Sequence, residues 1–410
     1  MSNETNPSAR HRPWPRRRIL GSVLGLAVVV GTGAVAEASS YGDGFLRPGA
    51  VIGANGTAPT QGYGTAHGTG VPSFTPYQNG GTQNGWTQNG GTQNGWTQNG
   101  GTQNGGTQNS WGNNPWMPSE HAAGNMWTWT GKGANRWGFQ PVVNPGDPTF
   151  NQALSINNRG VIVGYFGSGE DDAHPNKGWW ARTPYGQQSF RDVNYPGSTQ
   201  TQVIGINDDG TVVGFYVEAD KSTHGFVRWQ GHYSSVDFPQ SSTSQPPVNQ
   251  LLGISRNGLA AGFYNDAAGN AHGYLFNVRT HRFAPIQLPW GATSVTVTGV
   301  NDDGTVVGFA VVRKVTVAFL VNRHTAQVIK LGNGKNTQAL GVNRWGAVVG
   351  SFEDGAGMTH GFVWSKGRVR TVDAPWHAKS TVVNGLNDAG WIVGFFEDST
   401  GNTKGFLARS

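Results

Sequence analysis

The chain has 410 residues, 64 of them glycine, only 13% charged, and none of them cysteine. These figures exclude disulfide staples, thiolate metal sites and a cysteine nucleophile. The net charge of +6 is concentrated: Arg10, Arg12, Arg16, Arg17 and Arg18 face only Glu4 and Glu37 in the first 38 residues. The remainder carries about half of the excess without a basic stripe, which argues against nucleic acid as a partner.

Residues 1–38 have the grammar of an export signal. Arg16-Arg17-Arg18 precedes an apolar run from Ile19 to Ala36, followed by Ala34-Val35-Ala36 or Ala36-Glu37-Ala38 as a small-residue cleavage pattern. The pair Arg16-Arg17 before Ile19-Leu20 fits a twin-arginine signal, and Gly21, Gly25, Gly31 and Gly33 keep the run only mildly apolar. The alternative is an uncleaved anchor, since about 18 apolar residues just span a bilayer. Cleavage predicts a secreted, extracellular protein associated with the cell surface and with no other membrane segment.

Residues 39–125 read as a disordered linker. Thr-Gln-Asn recurs every five residues from Thr82 to Thr107, followed by Gly in all but the last copy, and such a polar tract buries too little to offset its backbone entropy. Trp86, Trp96, Trp111 and Trp116 are spaced along it. They read either as a sticky tether for sugars or cell-wall polymers or as passengers of a flexible, duplicated repeat.

Residues 126–410 are periodic. The motif Asn-x-x-Gly-x-x-x-Gly begins at Asn157, Asn207, Asn301, Asn343 and Asn387, and Ser255 takes the Asn place in the third of six copies. Successive copies lie 42–50 residues apart. Each is followed by a small-residue–aromatic pair: Gly178-Trp179, Gly225-Phe226, Gly273-Tyr274, Ala318-Phe319, Gly361-Phe362 and Gly405-Phe406. In the second copy, Gln202–Ile206 and Thr211–Tyr216 read as strands joined by Asn207-Asp208-Asp209-Gly210, a type I turn closed by a glycine bulge. His224–Arg228 and Tyr233–Phe238 supply a third and a fourth strand. The second strand is apolar on both faces (Val212, Val213, Phe215), so it must be covered from both sides.

Four antiparallel strands in a repeat of 40–50 residues predict an all-β fold, a six-bladed β-propeller of four-stranded blades. The sixth copy stops before its fourth strand, at Gly405–Ser410, and the stretch Trp137–Asn144 resembles the missing one. An N-terminal strand that completes the last blade closes the ring and removes two bare sheet edges. The alternatives are an open array and a ring completed by a partner chain.

Gly-Ile-Asn-x-x-Gly-x-Val-Val-Gly followed by His-Gly-aromatic resembles the bacterial extracellular HAF (His-Ala-Phe) repeats. The matching tripeptides are His224-Gly-Phe226, His272-Gly-Tyr274 and His360-Gly-Phe362, and the fourth copy keeps Ala318-Phe319. The resemblance covers about residues 150–410. It implies an extracellular repeat protein and no reaction. Lys177 and Lys404 replace the histidine in the first and sixth copies.

Three recurring histidines invite a metal or proton-transfer reading, but equivalent positions on separate blades do not converge, so His224, His272 and His360 read as structural, like the five asparagines. The turn after the second strand is acidic in five copies (Asp172, Asp220, Asp266, Asp354, Asp398), and Arg313 makes a basic notch in the fourth. This acidic crown is the candidate binding face, for Ca²⁺ or a cationic ligand. The competing reading is ordinary turn chemistry, because a calcium site needs six or more convergent oxygens. No nucleophile elbow, His-Glu-x-x-His helix or phosphate loop occurs, and no catalytic residue, metal ligand or cofactor is assigned. Two functions remain. One is a binding or scaffolding module for a cell-wall or extracellular glycan or protein. The other is a hydrolase or lyase at the central opening, using the loop Ser241–Asn249, the insert Gly169–Asn176 and the notch at Arg313.

Overall fold

The computed structural model describes residues 128–130, 136–241 and 245–410. The leader and the linker, with their four tryptophans, lie outside the described residues. The rest is a six-bladed β-propeller of antiparallel sheets. Blade 2 runs Gln200–Ile206, Val212–Val217, Thr223–Trp229 and His232–Val236, from the axis outward. The other innermost strands are Asn151–Ile156, Asn249–Ile254, Ser294–Val300, Lys335–Val342 and Ser380–Leu386. The helical content of the repeat region includes a short 3₁₀ turn at Gln187–Ser189.

The ring closes through its N-terminus. Trp137–Val142 pairs antiparallel with Thr403–Arg409, placing Phe139 opposite Ala408 and Pro141 opposite Phe406. A further outer strand that the repeat pattern does not announce, Thr128–Thr130, pairs with it and makes blade 6 five-stranded. Phe139 is fully buried, edge-on to Phe406 at 5.3 Å, so the seam is sealed by an aromatic as well as by backbone bonds.

The doubly apolar second strands are covered as required. Among the described residues one apolar cluster fills each seam between neighbouring blades. Val163 and Val193 meet Val203 and Phe226 between blades 1 and 2, and Val213 and Phe238 meet Leu251 and Tyr274 between blades 2 and 3. A seventh cluster lies on the axis, with Leu154, Ile204, Leu252 and Leu340 from four innermost strands.

The two sequence markers turn out to be one packing device. Each innermost strand carries a bulge, as between Val203 and Gly205 opposite Gly214. The bulge presses a carbonyl against the second strand, so a Cβ at Gly164, Gly214, Gly262, Gly308, Gly350 or Gly394 would sit 1.8–2.3 Å from that oxygen. The buried aromatic of the Gly-aromatic pair lies over the same glycine: Phe226 over Gly214, Phe362 over Gly350.

Candidate ligand-binding face

The propeller has two faces. One carries the turns between second and third strands, where the acid series lies; the other carries the Asn-x-x-Gly turns.

On the first face the acids do not converge. Asp220 accepts from the Ser222 amide at 2.9 Å and its hydroxyl at 2.6 Å. Asp266 accepts from the amides of Ala268 and Asn270, both at 2.9 Å, and meets His272 Nε2 at 2.8 Å. Asp354 accepts from Ala356 and Met358 and lies 3.4 Å from His360 Nε2. Asp398 holds the amides of Thr400 and Asn402 and pairs with Lys404 Nζ at 2.9 Å. Asp172 is exposed, and its neighbour Asp171 makes the turn contacts, to His174. Arg313 and Lys314 form a two-residue turn with both φ positive (50° and 68°), joining the paired Val312 and Val315 in place of an acid-capped loop. Asp220, Asp266, Asp354 and Asp398 thus each close their own turn. Among the described residues no group of three or more His, Cys, Asp and Glu is placed to hold a metal ion.

The repeat histidines belong to this arrangement. His224, His272 and His360 stack on the cross-strand rings of Tyr216, Tyr264 and Phe352 at 5.3, 5.1 and 5.5 Å. Nδ1 of His224 lies 3.1 Å from Asp237, and Nδ1 of His360 lies 2.7 Å from Asp373. Partial burial pulls the His360 imidazole down, but the carboxylates of Asp373 and Asp354 outweigh it and raise its pKa above the ordinary value. Lys404 makes the pair with Asp398 that His272 makes with Asp266. In the third, fifth and sixth blades a basic side chain thus stands beside the turn acid, and Lys404 fills in the sixth the place that His272 and His360 hold in the other two.

The second face is stitched across blades. The recurring asparagine is buried, and its Oδ1 accepts two amides of its own turn: at Asn207, those of Asp209 (3.1 Å) and Thr211 (3.0 Å). Its Nδ2 donates to the backbone carbonyl of the equivalent residue one blade on. The links run Asn157 to Asn207 (3.0 Å), Asn207 to Ser255 (3.2 Å), Asn301 to Asn343 (3.1 Å), Asn343 to Asn387 (3.2 Å) and Asn387 to Asn157 (3.2 Å). The last crosses the closure. Ser255 is too short to continue the series, and its hydroxyl instead accepts from the Leu259 amide.

The residue after each of these positions points into the mouth of an axial funnel of about 120 Å³. Going round, it is Asn158, Asp208, Arg256, Asp302, Arg344 and Asp388. Asn158 Nδ2 donates to Asp208 (2.9 Å) and Asp388 (2.8 Å), Arg256 pairs with Asp208 at 2.8 Å, and Arg344 Nε lies 3.5 Å from Asp388. Burial pushes the Asp208 carboxyl up, but the bonds from Asn158 and Arg256 prevail and hold it below the usual range. Below the mouth, Leu154, Ile204, Leu252 and Leu340 form the wall, with Thr298 and Asn384 in the two other blades. On two of the same innermost strands, the buried side-chain amides of Gln152 and Gln250 have no hydrogen-bond partner among the described residues. This polar ring was legible only by aligning the turns column by column.

A second and larger cavity opens on the same face. It is a groove of about 1020 Å³ between blades 2 and 3, and it shares Asn207 and Arg256 with the funnel. Trp229, 54% exposed, stands in it, and Trp345, 57% exposed, stands by the funnel with Arg344 over its ring at 4.2 Å and Nε1 donating to the Asp388 carbonyl. Neither cavity is lined by the insert 169–176, Arg313 or the described part of the loop 241–249.

No protein-family profile matches the chain, and no curated protein is similar to it in sequence. Among solved structures it is similar to TolB from Acinetobacter baumannii, at 12% identity and a TM-score of 0.42 over 62% of this chain and 64% of that one. It is also similar to AofleA from Arthrobotrys oligospora, at 10% identity and a TM-score of 0.43 over 66% and 85%. A third similarity is to a PL25 polysaccharide lyase, an ulvan lyase, at 12% identity and a TM-score of 0.40 over 68% and 89%. Likenesses at this level carry no function across.

Proposed function

We propose that the chain is an exported binding or scaffolding module at the cell surface, a rigid disc on a polar tether that presents the Asn-turn face to an extracellular glycan or protein. The observation that supports this reading is the open groove between blades 2 and 3, which shares Asn207 and Arg256 with the axial funnel, together with the exposed indoles of Trp229 in the groove and Trp345 beside the funnel. An aromatic ring left in water at the edge of a cavity is the usual anchor of a recognition surface. The alternative is a hydrolase or lyase at the central opening; in its hydrolase form, with a carboxylic acid as proton donor, it needs a carboxyl able to hold a proton at working pH. At the funnel mouth Asp208 is driven the opposite way, further into its ionised form.

The test is retention of the full-length protein on immobilised cell-envelope fractions and arrayed glycans, with the soluble phase assayed for cleavage products. Retention without product release is expected, and W229A together with W345A should remove most of it. Release of reducing or unsaturated ends from a retained polymer would replace this reading with the enzymatic one.

A further inference from the structure

We infer that the groove between blades 2 and 3 is a binding site for an anionic polysaccharide, one bearing carboxylate or sulfate groups along its chain. This inference rests on the binding-module reading and gives it a ligand class.

The first argument is shape. The groove is wide and open to solvent, with Val227, Phe276 and Val278 contributing an apolar floor. Its volume, about 1020 Å³, lies at the upper end of the range for small-molecule pockets and suits several sugar rings in a row. Trp229 ends the third strand of blade 2, and the tight turn at Gln230 (φ 48°) and Gly231 (φ 88°) fixes its place on the rim. An indole exposed there offers a flat apolar face to the C–H side of a pyranose and an N–H to its hydroxyls.

The second argument is charge. Three guanidinium groups line the groove: Arg159 from blade 1, and Arg256 and Arg279 from blade 3. Arg256 is occupied by Asp208 at 2.8 Å. Arg159 and Arg279 are exposed and make no ion pair among the described residues. The opposing carboxylates are Asp209, exposed beside the Asn207 turn, and Asp237, which already meets His224 Nδ1 (3.1 Å) and the Ser235 hydroxyl (3.2 Å). His232 and His281, both exposed, add donors on the outer walls. Unpaired guanidinium forks beside an aromatic ring are suited to planar carboxylate and to sulfate, which they bind by paired N–H···O contacts.

The third argument separates saccharide from nucleic acid. The phosphates of a duplex come at about one charge per 1.7 Å of axis and demand a long basic track. Here two free arginines are interspersed with Asp209 and Asp237, which would repel so dense a row of phosphates. An acidic polysaccharide, with fewer charges per length and with hydroxyls that aspartates accept, fits the mixture.

The experiment is affinity electrophoresis of the full-length protein in gels containing polygalacturonate, dextran sulfate or neutral dextran, with duplex DNA as a competitor. Retention on at least one acidic polymer should exceed that on dextran by about tenfold in apparent affinity, and should weaken with added salt. W229A should lower the affinity about tenfold, and R159Q and R279Q by about threefold each, on surface positions that leave the circular dichroism spectrum unchanged. R313Q, on the opposite face, should change nothing. The ratio between the polygalacturonate and dextran sulfate arms tells whether carboxylate or sulfate is the preferred group. Equal retention on dextran with no effect of R159Q and R279Q overturns the anionic ligand and leaves the binding reading standing. Loss through R313Q instead moves the site to the other face, and displacement by DNA at equal charge overturns the saccharide. Failure to be retained by any polymer or envelope fraction defeats both readings.

Discussion

The two faces of the disc spend the same kind of residue differently. On the face of the second-to-third turns, Asp220, Asp266, Asp354 and Asp398 each accept bonds from their own loop, so every turn is a self-contained unit. On the opposite face the asparagines close their own turns and also donate to the next blade, so that side acts as a hoop. The difference teaches where ligands have room. The self-closed acids leave no convergent site, whereas the hoop surrounds a funnel and leaves a groove between two of its blades. A polar residue's frequency along a repeat therefore says less about binding than which blade its partner belongs to.

The contrast predicts a hierarchy of stabilities. Among single substitutions on the two faces, N387A should be the most damaging. It removes the link across the closure and strips two amides of the Asn387 turn, at a cost of about 3 kcal/mol in chemical denaturation, where a buried group left unpaired costs about 1–3 kcal/mol. An equal loss from D220N would erase the distinction between the faces. Next is N384L. Asn384 occupies the place that Leu154, Leu252 and Leu340 hold in other blades, and its Oδ1 has no hydrogen-bond partner among the described residues, so leucine should stabilise by about 1–2 kcal/mol. S255N, which supplies the missing stitch from blade 3 to blade 4, should add about 0.5–1 kcal/mol, and a loss would show that the break accommodates something else.

Two smaller effects are read by pH. The pKa of Asp266 is opposed by burial but lowered to about 2 by His272 and the Asn270 amide, and Asp220, Asp354 and Asp398 shift in the same direction. A depressed carboxyl stabilises the fold above its unfolded value, and that contribution is lost as pH falls. Stability should therefore decline from about pH 4 towards pH 2, and D266N should flatten part of the decline. His360 works in the reverse sense. Its raised pKa contributes stability that is complete below about pH 6.5 and disappears as pH rises through the folded value. H360Q should remove that slope, and a slope unchanged in H360Q would assign it to another group.

Much of the architecture was legible because the controlling contacts are local. The left-handed glycines that end the Asn turns, such as Gly210 and Gly346, are fixed by the turn itself. The glycine beneath the aromatic marker is fixed by a hairpin partner a dozen residues away, as with Gly214 and Phe226. Repeat number, strand order and the closing strand at Trp137–Val142 all followed from such pairs. The site was not legible in the same way. The acid series was visible because it lies in contiguous turns, and those turns account for its hydrogen bonds.

The sequence by itself determined how many sheets there are and pointed to the strand that seals the circle, since periodic glycines, apolar strands and turn asparagines act within one blade. Only the tertiary structure decided which face is open. Asn158 meets Asp208 and Asp388, Arg256 meets Asp208, and Trp229 and Arg279 come to line one groove, all through the curvature of the ring and the approach of one blade to the next. Contacts between residues about 50 or 230 positions apart leave no local imprint on the chain, because no turn or strand at either end requires them.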